Sequence, residues 1–168
     1  MKKFFVFLLI FVLPLCSCSS DFELKEHFSL PATVCARLEG TSGSFTVFID
    51  ESESLITFST DHALRGILLR IEKDKCFVSD GKFYERDIRL GSFPAQESLC
   101  RAIKLLASTD SEGIIEENRI KYTIDETVII VYYDYNSDKV THIETEENRR
   151  RFIFAVESLQ TNETQSNG

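Results

Sequence analysis

"SFPAQESLCRAIKLLAS", residues Ser92–Ser108, is the stretch on which the reading of the fold turns. Leu99, Ala102, Ile103 and Leu106 recur at i, i+3, i+4 and i+7, which on a 3.6-residue period gathers them into one apolar stripe. Ser92-Phe93-Pro94 offers an N-cap and an early proline, and "STDSEG" (108–113) ends the pattern. The segments on either side alternate with a period of two, so this is a lone helix among strands. A helix with a single apolar stripe needs a surface to lie on, and here that surface must be a sheet.

Working upstream, "ATVCARLEG" (32–40) places Ala32, Val34, Ala36 and Leu38 on one face and Thr33, Cys35, Arg37 and Glu39 on the other, a half-buried strand. The turn Gly40–Gly43 joins it to "SFTVFID", with Phe45, Val47 and Ile49 inward. "SLITFS" and "GILLRIEKD" add two more strands, and "KCFVSDGKFYERDI" reads as a hairpin turning at Ser79-Asp80-Gly81. Downstream come "IIEE", "RIKYTI", "TVIIVYYDY", "KVTHIET" and "RRFIFAVES", separated by Asp125-Glu126, Asn136-Ser137-Asp138 and Glu146-Glu147-Asn148. "VIIVYY" (128–133) is apolar on both faces, which predicts a central strand. Its second face, Val128, Ile130 and Tyr132, is the expected lining of an apolar cavity, with ordinary two-sided packing as the alternative.

About nine or ten antiparallel strands interrupted by one helix predict an α+β domain. Its expected form is a strongly curved antiparallel sheet, a half-open barrel, with the helix packed across it; a β-sandwich is the alternative. The domain is expected over residues 32–159, with a polar disordered tail at 160–168.

The N-terminus reads differently. Met1-Lys2-Lys3 precedes an uncharged run from Phe4 to Leu15 that is too short to span a bilayer comfortably. This is the pattern of a secretory signal, expected at 1–17. Leu15-Cys16-Ser17-Cys18 resembles the bacterial lipobox, with Leu15 at minus three and Ser17 at minus one. That resemblance implies cleavage between Ser17 and Cys18 and acylation of Cys18, followed by a tether at 18–31. Acyl chains contribute about 0.8 kcal/mol per buried methylene, so two or three anchor a domain stably. Cleavage leaving an unlipidated chain is the alternative. A C-x-C zinc half-site lacks a second Cys or His pair at finger spacing.

Loss of residues 1–17 removes Lys2 and Lys3 and leaves 17 basic against 27 acidic side chains, a net charge near −10. Such a chain is a poor partner for nucleic acid or for anionic lipid headgroups. Fourteen Phe, no Trp and 43% hydrophobic residues fit a Phe-packed globular domain. Cys35, Cys76 and Cys100 are three thiols, so at most one bridge can join them; unpaired thiols in an exported chain point to a reducing habitat.

Reaction chemistry finds little support. Gly40-Thr41-Ser42-Gly43-Ser44 departs from G-x-S-x-G at its last position, and no strand-to-helix turn follows. Asp134-Tyr135-Asn136-Ser137-Asp138 opens like a calcium loop, but Lys139 and Thr145 stand at the glycine and bidentate-glutamate positions. His27, His62 and His142 have no accompanying nucleophile, and Arg149-Arg150-Arg151 reads as turn-flanking partners of Glu146 and Glu147. No catalytic residue, metal or cofactor is expected.

The lipobox, "FIDESESLITFSTDHALRGILLRIEKDKCFVSDG", the helix and "YDYNSDKVTHIETEENRRRFIFAVES" together resemble small lipoproteins of Gram-positive anaerobes. Phe58, Leu64-Arg65-Gly66 and the turn from Asp134 to Lys139 carry the likeness. Their architecture is similar to the LolA/LppX-like lipoprotein carriers, a half-open barrel with a helical lid. The resemblance implies a non-enzymatic module, anchored on the extracytoplasmic face of the cell membrane, that binds a lipid or an apolar segment of an exported protein. The alternative is a cell-envelope interaction module whose barrel is filled by its own side chains. The anchor assignment predicts that labelled palmitate is incorporated and that Cys18→Ala releases the chain from the membrane fraction; an equally membrane-bound variant would refute it.

Overall fold

The computed structural model describes residues 28–73, 75–80, 85–109 and 112–161. The signal segment, Ser17, Cys18, His27 and most of the expected tether lie outside the described residues, as do 162–168. Eleven strands and one helix follow in order: β1 (Ala32–Leu38), β2 (Phe45–Ile49), β3 (Glu53–Phe58), β4 (Leu68–Glu72), β5 (Lys75–Ser79), β6 (Glu85–Ile88), α1 (Pro94–Ser108), β7 (Ile114–Glu116), β8 (Arg119–Ile124), β9 (Thr127–Asp134), β10 (Lys139–Glu147) and β11 (Arg150–Thr161).

All eleven strands form one open antiparallel sheet in the order β6-β5-β4-β3-β2-β1-β11-β10-β9-β8-β7. They make one continuous ladder, not the two stacked sheets of a sandwich. β1 to β6 walk by successive hairpins from the middle to one edge; β7 to β11 walk back from the other edge. The two halves meet where β1 pairs with β11, Ala32 opposite Thr161 and Leu38 opposite Phe154.

Two bulges keep the long ladders in phase. Val156 and Leu159 are three residues apart and would fall on opposite faces of a regular strand. The register shift opposite Cys35 and Ala36 inserts Glu157 and returns both to the face of Ala36 and Val34. The shift between Val140 and His142 does the same for Val140 and Ile143, both buried.

One face of the sheet carries the core. Leu69, Ile56, Val47, Val34, Phe154, Ile143 and Val131 have no exposed surface, and Ile120 is 2% exposed. These residues come from eight strands, β4 to β1 and β11 to β8, a width of about 34 Å at roughly 4.8 Å per strand. The helix that covers them is only ~22 Å long and ~10 Å across. A flat sheet would leave most of that row wet, and the burial is consistent with a strongly curved sheet around α1.

The helix meets the sheet through the stripe read from the sequence: Leu99, Ala102, Ile103 and Leu106 are all buried, with Ala95 and Cys100 beside them. Ser98 Oγ and Thr145 Oγ1 lie 2.7 Å apart in the buried contact, which satisfies both hydroxyls. The N-terminus is finished differently from the expected Ser92 cap. Ser92 Oγ donates to the Arg89 carbonyl, and the Glu97 carboxylate reaches back to accept the backbone N–H groups of Gly91 and Phe93.

Several boundaries also differ from expectation. Phe28, inside the expected tether, is 3% exposed and packs into the core, and β11 runs on to the buried Thr161. β9 is not central: it lies third from an edge, with β1 in the middle position. At Gly43, φ is +78° and an added Cβ would stand 2.7 Å from the His62 backbone, so the first turn requires glycine.

Because Leu99 is fully buried between helix and sheet, Leu99→Ala should destabilise the fold by about 2–5 kcal/mol, read from urea unfolding.

Candidate functional site

Three regions could act on a partner molecule: the contact between helix and sheet, the outer face of the sheet, and its two open edges.

Between helix and sheet the side chains close on one another. Ser54 faces the Cys100 thiol, and both are buried, as are Ile103, Leu99 and Ile56 around them. Among the described residues, open space lies at the rim. A cleft of about 280 Å³ runs from Ile71 and Leu90 to Lys73, Lys104 and Ser108. It lies just below the roughly 300–1,000 Å³ that ligand pockets span. Two clefts of about 370 Å³ adjoin it at Ser52, lined by Glu53, Glu72, Lys73 and Lys75 on one side and by Leu30, Pro31, Asp50 and Glu51 on the other. Both lie between turns, and charged side chains stand around them.

Val128, Ile130 and Tyr132 point to the outer face of β9, away from the helix, and all three are half-buried. Their cover comes from neighbouring side chains. Ile130 stands between Lys121 of β8 and Glu144 of β10. Glu144 is only 4% exposed although it too points outward. Arg151 grips its two oxygens, Nε to Oε1 at 2.6 Å and the terminal nitrogen to Oε2 at 2.9 Å, and Tyr132 Oη donates to Oε2 at 3.4 Å. Arg151 thus reaches Glu144, diagonal to it across the ladder, and not the expected Glu146 or Glu147, although Glu146 sits directly opposite; Glu147 is taken by Arg101 of α1. No pattern along the sequence announces a buried outward carboxylate. The bidentate pair depends on a diagonal contact between strands.

The two edges differ in character. β6 presents Glu85, Arg86 and Asp87, all exposed and of mixed sign, with Glu85 paired to Arg70 at 2.5 Å. Such charges discourage pairing with another strand. β7 is fully exposed and presents Ile114 at 64% and Ile115 at 57%. Tyr135, 49% exposed, leans over from the turn after β9 and donates to the Glu117 carbonyl at 3.3 Å. Among the described residues the large exposed hydrophobic side chains are Phe48, Ile114, Ile115 and Tyr135, so three of the four gather at this edge. "IIEE" is legible as a strand, but nothing in it says that it closes the ladder.

The remaining titratable groups serve local structure. His62 Nδ1 accepts the Leu64 N–H at 3.0 Å, and its ring lies 4.6 Å from Phe58. His142 lies 6.1 Å from the Tyr132 ring. Asp134 accepts from the Asn136 N–H and the Ser137 hydroxyl, which hold its carboxyl below its usual range. Among the described residues no three of His, Cys, Asp and Glu gather to hold a metal ion, and no helix is long and apolar enough to cross a membrane.

No protein-family model matches the chain, and no curated protein matches it either.

Cys35, Cys76 and Cys100 are free thiols. Burial pushes Cys100 up to about 12 and Cys76 up to about 11, from an ordinary value of 9.0. Cys35, half-buried on the outer face, is raised by burial and by its hydrogen bond to Glu157. At pH 8 the two buried thiols should hold roughly one part in a thousand or less as thiolate. Iodoacetamide on the folded chain should therefore label Cys35 well before Cys76 and Cys100, with unfolding levelling the three; mass mapping reads the order. Since the folded state favours the protonated thiols, their contribution is complete below pH 9 and falls as pH rises toward 11 and 12. The unfolding midpoint in urea should drop over that window and drop less in a Cys100→Ser variant.

Proposed function

We propose that the chain is an extracytoplasmic interaction module, held at the cell membrane by lipid on Cys18, which binds a partner without enzymatic chemistry. The observation that carries this reading is the packed interior. Leu99, Ala102 and Ile103 of the helix and the sheet residues beneath them have no exposed surface, so the module's core is filled by its own side chains. The available surface is therefore outside: an open edge bearing isoleucines and a half-buried outer face.

The lipid-carrier form of the same fold, a half-open barrel with a helical lid, keeps one supporting observation. The rim cleft of about 280 Å³ opens against the helix, with Ile71, Leu90 and Leu105 among its lining. To admit an acyl chain, the helix would have to lift from contacts that now seal Leu99 and Ile103.

Native mass spectrometry of the domain released from its anchor separates the two forms. The interaction module is expected to give the bare polypeptide mass; retained lipid would overturn it in favour of the carrier.

A further inference from the structure

We infer that β7 is the docking edge, and that its occupant is an extended, basic-apolar segment of another protein added as a twelfth strand. This rests on the interaction-module reading and names the edge and the chemistry of the partner.

β7 ends the sheet order. It pairs with β8 on one side through Ile114 opposite Lys121, Ile115 opposite Ile120 and Glu116 opposite Arg119, and no described strand pairs on the other. Backbone donors and acceptors on such an edge are a template for another strand. The strand is held firmly in place. A Cβ on Gly113 would stand 2.3 Å from Ile120 Cγ2 and 2.9 Å from the Tyr122 ring, so the chain lies directly on β8 as it enters β7. Ile114 and Ile115 are exposed on a fixed strand, one toward each face, and Tyr135 extends the apolar surface beside them. The two edges differ in what they offer: β6 carries charges of both signs, whereas β7 carries two exposed isoleucines bracketed by charges of one sign.

Charge selects the occupant. Glu112, Glu116 and Glu117 are all exposed around the two isoleucines. Glu116 is paired with Arg119, and no ion pair among the described residues engages Glu112 or Glu117. A second copy of this chain, laid antiparallel on β7, would bring three more glutamates to the same short ladder. A segment that alternates Lys or Arg with aliphatic residues fits this two-sided edge: its aliphatic groups fall on one face, over Ile115 on the side of Ile120, and its cations on the other, toward the glutamates that bracket the strand.

The test uses a fluorescein-labelled Lys-Val-Lys-Val-Lys-Val peptide, read by anisotropy against the folded chain. It should bind at least tenfold tighter than its Glu-Val counterpart and than a Lys-Val peptide methylated on every central amide nitrogen. The double variant Ile114→Ser/Ile115→Ser should weaken it at least tenfold, and Glu112→Gln/Glu117→Gln should weaken it and flatten its salt dependence. All four positions are exposed, so circular dichroism should show unchanged folding. Equal binding of the methylated peptide, or indifference to the isoleucine variant, would overturn the inference. So would a dimer in sedimentation velocity that dissociates in the isoleucine variant, which would assign the edge to a second copy. A bare native mass with no peptide binding would overturn the edge alone, whereas retained lipid would overturn the interaction-module reading itself.

Discussion

The ladder between β1 and β11 is the interaction on which this architecture depends. Apart from it, each strand pairs with a neighbour in the sequence, and such hairpins need only short loops to form. Joining Ala32–Leu38 to the far end of the chain closes a loop of more than a hundred residues. Without that seam there would be two separate meanders, each with one apolar face and no second layer. With it, the seam supplies the floor beneath the helix: Val34, Ala36 and Phe154 come from the two seam strands and all are fully buried. The bulge at Glu157 belongs to the same device, since it holds both halves of β11 in phase with β1.

The sheet and the helix obey different size limits. An eleven-stranded sheet is several times wider than one helix, so coverage has to come from bending. That bending explains why a single apolar stripe of four residues on α1 is enough. It also explains why the space beneath α1 is filled. Among the described residues, the clefts lie at the rim, beside Ser52 and Lys73 and along the Lys104 side of the helix.

Local features were legible in the sequence and distant ones were not. Alternation placed Ala32, Val34, Ala36, Phe45, Val47 and Ile49 inward, and the helical stripe was read residue by residue, because both patterns follow from backbone geometry alone. The seam was illegible, since nothing in "ATVCARL" names "RRFIFAVESLQT" as its partner. The two-faced apolarity of "VIIVYY" predicts a central strand. Its cause is different: Lys121, Glu144 and Arg151 shelter the outer side chains of a strand that lies near the edge. The surface proposed for docking was half legible. The strand "IIEE" is visible in the sequence, but its exposure follows from being last in a ladder whose order only the three-dimensional pairing shows.

The seam also has a mechanical meaning. Ala32 and Thr161 sit side by side, so β1 begins where β11 ends, in the middle of the sheet. A pull on the N-terminal segment acts along β1, which is flanked on both sides by β2 and β11. The hydrogen bonds of both ladders lie perpendicular to that force and resist it together, in shear, instead of opening one after another as they would at an edge. Load applied along β1 is therefore borne at the middle of the sheet, away from its outermost strands.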